Sequence, residues 1–61
     1  MKFEIRRSTS VTQPYYWRIV ASNGHVLATS ETYVNRADAE RAAASVKANA
    51  ANAPIVNLVT A

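Results

Sequence analysis

Residues 15–30, YYWRIVASNGHVLATS, decide the fold. Asn23-Gly24 falls between two runs rich in β-branched and aromatic residues, which is the strongest short-range signal for a β-hairpin. Gly24 is the single glycine of the chain and falls where a left-handed backbone is wanted. A two-residue type I′ loop predicts a register in which Ser22 opposes His25, Ala21 opposes Val26, Val20 opposes Leu27, Ile19 opposes Ala28 and Arg18 opposes Thr29. Opposed residues share a face, and faces alternate along a strand. Tyr15, Trp17, Ile19, Ala21, Val26 and Ala28 then make an apolar face, expected to be core. Tyr16, Arg18, Val20, Ser22, His25, Leu27 and Thr29 make a mixed face, open to solvent or to a partner.

Working outward, Lys2–Arg7 alternates, with Phe3 and Ile5 on one side and Lys2, Glu4 and Arg6 on the other. This predicts a half-buried first strand and a three-stranded antiparallel meander. Ser8–Pro14 is a polar connection whose end is marked by Pro14. Tyr33 and Val34 are expected to tuck over a core edge. Asn35 reads as a helix N-cap, with Asp38 in a capping-box-like position. From Arg36 to about Asn49 the period is helical, with Ala39, Ala42, Ala43, Val46 and Ala50 in one stripe. Such a thin stripe lets the helix sit close on the sheet, over Trp17 and Ile19. Asn52 is expected to cap the C-terminus, and Pro54 cannot continue the helix. Ile55–Val59, IVNLV, reads as a short final strand apolar enough for burial on both faces.

The 61 residues predict one α+β domain spanning 1–61: meander, one packed helix, short C-terminal strand. A chain of this size buries only about 60% of its unfolded surface. It has no cysteine, so no disulfide or thiolate metal site can staple it. Small domains without staples often gain core by oligomerising, and one helix covers only one sheet face. A homodimer is therefore expected, with Val20, Leu27, Ile55, Val56, Leu58 and Val59 as its contact residues. No run approaches the ~20 apolar residues of a membrane span, and MKFEIRR lacks a signal-peptide apolar region. A cytoplasmic location without membrane contact is the expectation. A net charge of +3 permits an anionic partner without requiring one.

FEI at 3–5, YYWRIVASNGHVLATSETY at 15–33, SVKANA at 45–50 within an alanine-rich helix, and the closing PIVNL together resemble the YegP-like family. These are short bacterial and archaeal proteins of unknown function. The resemblance implies three antiparallel strands, a helix and a further short strand, in single units that dimerise or in tandem pairs. Departures are Thr32, where glycine is frequent, Asn57, where aspartate is frequent, and a glycine-free loop before Pro14. The resemblance implies no activity.

Little chemistry is legible. His25 is the lone histidine and reads as a strand-end polar residue; a metal site would need further ligands. The serines lack a nucleophile motif, and one glycine cannot build a phosphate loop. No enzyme activity and no cofactor are expected. Arg6, Tyr16 and Arg18 are the most suggestive set: basic residues beside an exposed aromatic on a sheet can grip a phosphate backbone and stack bases. The expected function is thus a homodimeric structural or interaction module contacting another macromolecule. The alternative is a nucleic-acid binder using Arg6, Tyr16, Arg18 and neighbouring His25, and a small enzyme ranks last.

Overall fold

The computed structural model describes residues 1–59. Its order is β1 (Lys2–Arg7), β2 (Tyr15–Val20), β3 (Val26–Thr29), α1 (Arg36–Asn49) and a single 3-10 turn (Ala50–Asn52). The strands form one antiparallel sheet in the order β1-β2-β3. β1 pairs with β2 without interruption, from Lys2 opposite Val20 to Arg7 opposite Tyr15. The α+β meander with one helix is therefore the fold.

The helix lies across β2 and β1 and does not reach β3. Its alanines allow close approach. Ala39 is fully buried, Ala43 is 6% exposed, and Trp17 beneath them is 9% exposed. Phe3, Tyr15, Ile19, Tyr33, Ala42 and Val46 pack around this centre. Phe3 and Trp17 meet at 5.8 Å between ring centroids, tilted by 51°. Tilted pairs of this kind favour the ring quadrupoles. The indole Nε1 is buried and finds no acceptor among the described residues. Ala50, expected in the stripe, is exposed because the α-helix has already given way to the 3-10 turn.

The hairpin differs from the two-residue expectation. Gly24 N–H donates to the Ala21 carbonyl at 2.9 Å, and Ala21 N–H donates to the His25 carbonyl at 2.8 Å. These bonds enclose a three-residue loop, Ser22–Gly24, with Gly24 at φ 90°. A type I turn followed by one left-handed residue needs a single positive φ, where type I′ needs two. The Asn23 carboxamide oxygen accepts from His25 N–H at 3.1 Å. The extra loop residue displaces the register by one. Val20 opposes Val26, and a bulge restores Ile19 opposite Ala28 and Arg18 opposite Thr29. Leu27 is the inserted residue. Val26 consequently leaves the expected core face and is 47% exposed.

Both helix ends differ in detail. Asn35 has N-cap geometry, φ −110° and ψ 138°, but its side chain makes no cap bond. Its amide donates instead to the Asp38 carboxylate at 3.3 Å. At the other end Asn49, not Asn52, donates its side-chain amide to the Ser45 carbonyl at 2.8 Å. Asn52 lies inside the 3-10 turn. Tyr33 is tied to Tyr15 by two backbone bonds of 3.2 and 2.6 Å, while Val34 stays exposed.

The expected strand at Ile55–Val59 does not form. Residues 53–59 have no regular structure, and Ile55, Val56, Leu58 and Val59 are 66–100% exposed. Among the described residues its one side-chain bond is local, Val59 N–H to Asn57 Oδ1 at 2.9 Å. The molecule extends 42 × 26 × 21 Å with a radius of gyration of 13.5 Å, against about 10.5 Å for a compact chain of this length.

Candidate functional site

Two surfaces stand out: the exposed apolar material of β3 and, separately, of the tail; and the sheet face opposite the helix. The first arises because α1 stops short of β3. All four residues of β3 are exposed. Its outer edge is unpaired among the described residues, and its sequence, VLAT, holds no charge or proline. The other sheet edge differs. β1 carries Lys2, Glu4, Arg6 and Arg7, the charged pattern that blunts edge-to-edge pairing. Leu27 is 55% exposed on β3, and the apolar side chains of the tail are barer still. Of the expected dimer contacts, Leu27, Ile55, Val56, Leu58 and Val59 are thus free to meet a partner. Val20 is only 5% exposed and already covered within the chain.

The second surface carries Lys2, Glu4, Arg6, Tyr16 and Arg18, brought onto one face by β1–β2 pairing. Glu4 is its hub. Its carboxylate accepts from Arg18 Nε at 2.7 Å and Arg6 Nη1 at 3.1 Å, with Lys2 Nζ at 3.3 Å. The Arg18 bond, helped by Arg6 and Lys2, holds the Glu4 carboxyl down at about pH 2 against a partial desolvation that opposes it. Glu4, and secondly Tyr16, keep Arg6 in its charged form. Sequence reasoning found Arg6, Tyr16 and Arg18 but missed Glu4; strand alternation placed it on that face, and the cross-strand partner Arg18 was the available signal. His25 is exposed at the hairpin and is not part of this cluster. Among the described residues no group of histidine, cysteine or carboxylate side chains could hold a metal ion. No helix among them is long and apolar enough to cross a membrane.

At the far end of the helix-side face, the Arg7 guanidinium lies 5.2 Å from the Tyr15 ring centroid, a cation–π contact. The Ser8–Pro14 loop beside it is internally bonded. Ser8 Oγ donates to the Gln13 carbonyl at 2.8 Å, and Ser8 N–H to the Pro14 carbonyl at 2.6 Å. Thr32, a departure from the resemblance noted above, braces this loop by donating to Gln13 Oε1 at 2.6 Å.

These features define a small helix-on-meander α+β domain with open edges. Residues 13–57 match the family described as "Domain of unknown function (DUF1508)", the YegP-like family. The match spans well over half of the chain, and the chain belongs to that family. No curated protein matches the sequence.

Proposed function

We propose that the chain is a non-catalytic interaction module that acts as a homodimer and presents its sheet to another macromolecule. The observations that support this reading are the bare apolar segment Ile55–Val59 and, elsewhere on the fold, an uncharged, exposed β3. An exposed apolar stretch of this kind marks an association site. Burying four aliphatic side chains is worth about 1.5–3 kcal/mol each before the entropy of association is subtracted. A second copy offers the same surface, which a two-fold interface requires. Light scattering should give twice the 6.7 kDa chain mass. Deleting residues 54–61 should give the mass of a single truncated chain while circular dichroism keeps the helix. A full-length chain that stays monomeric at micromolar concentration contradicts the reading.

A further inference from the structure

The sheet face opposite the helix carries an array of cations separate from the apolar tail on which the proposed dimer rests. Lys2, Arg6 and Arg18 all reach one carboxylate, Glu4, at 2.7–3.3 Å. Three cations against one anion leave an excess of two positive charges on this face. The array is also held in place. Arg18 meets Glu4 through Nε, and Arg6 through Nη1. Arg6 also leans on the Tyr16 hydroxyl, whereas the terminal N–H groups of Arg18 have no protein acceptor among the described residues. Arg18 therefore presents its two terminal nitrogens as an oriented fork, the geometry that takes two phosphate oxygens at once. Fixing the fork beforehand lowers the entropy lost on binding.

Two further features lie on the same face. Tyr16 sits directly opposite Arg6 and two residues from Arg18, half-buried. A groove of about 500 Å³ is lined by Lys2, Glu4 and Arg18, with buried Val20 and the hairpin residues Ser22 and Gly24 also in its wall. We propose that this face binds single-stranded nucleic acid. Arg18 engages a backbone phosphate through its free terminal N–H groups, Arg6 and Lys2 add two further charges, and the Tyr16 ring stacks on one unpaired base. An acidic polypeptide would satisfy the cations but leave the ring unused; an unpaired nucleotide engages both.

The test is fluorescence anisotropy of a short labelled oligothymidylate with the full chain, titrated from low to physiological salt. Binding is expected at low salt and should weaken steeply as salt rises. Arg18→Ala and Arg6→Ala should each weaken binding and lower the log–log salt slope by about one. Arg36→Ala removes the same charge from the helix, where Arg36 pairs with Glu40 at 3.2 Å, and should leave the slope unchanged. Tyr16→Leu should weaken binding without altering the slope. Arg6 lies on an edge strand, so its variant keeps the test decisive if Arg18→Ala fails to fold. Three results overturn the proposal: no binding at low salt, an equal loss with Arg36→Ala, or equal displacement of the oligonucleotide by polyglutamate, which makes the face an acidic-polypeptide surface. None of these readouts depends on whether the chain dimerises.

Discussion

The two flanks of β2 have opposite fates. On the β1 side, helix alanines descend onto Trp17 and exclude water, leaving Ala39 fully buried. On the other side, β3 has no helix above it, and all four of its residues are exposed. One short helix can seal a single strip of a three-stranded sheet. The difference teaches that this chain completes one half of its core alone and exposes apolar material for the other half.

The sharpest way to break the contrast is to attack the sealed flank. Trp17→Ala should cost about 3–5 kcal/mol. At about 0.05–0.15 kcal/mol per residue, total stability is of the same size, so the variant should be unfolded by circular dichroism. Ala39→Leu, forcing a larger side chain where no space remains, should cost about 1–3 kcal/mol in urea unfolding. The same enlargement at exposed Ala37, on the same helix, should be nearly neutral. Equal losses at the two sites would dissolve the contrast.

The order of strands and helix was legible because each carries its own period: alternation in Lys2–Arg7, and a three-to-four spacing in Ala39, Ala42, Ala43 and Val46. Trp17 as the centre was legible for the same reason. The turn was not. Asn-Gly fits both a two-residue loop and a three-residue loop, and only tertiary pairing chooses between them. That one residue moved Val26 off the core face and created the bulge at Leu27. The tail was misplaced because apolar content signals a need for burial without naming what supplies it. Of the candidate site, Arg6, Tyr16 and Arg18 followed from alternation. Glu4 as their common anchor required the cross-strand pairing.

Smaller effects sharpen the contrast between local and tertiary determinants. Gly24→Ala should cost about 1 kcal/mol through backbone strain alone, since an added Cβ meets nothing within 4 Å. Glu4 gives a pH signature. Its carboxyl is lowered from an ordinary 4.5 to about 2 in the folded chain, so its contribution is complete above 4.5 and fades as pH falls toward 2. Urea midpoints of the parent should therefore drop across that window, and Glu4→Gln should flatten the drop. Asn35→Ala should change stability by well under the ~1 kcal/mol typical of N-caps, because Asn35 makes no side-chain cap bond.

The most direct measurement is amide hydrogen exchange across residues 55–59 as a function of protein concentration, with Trp17 and Ile19 as internal references. The account predicts tail amides that are protected in concentrated solution and exchange freely on dilution, while the reference amides stay protected throughout. Tail amides that exchange freely at every concentration, or stay protected in a dilute monomer, would contradict it.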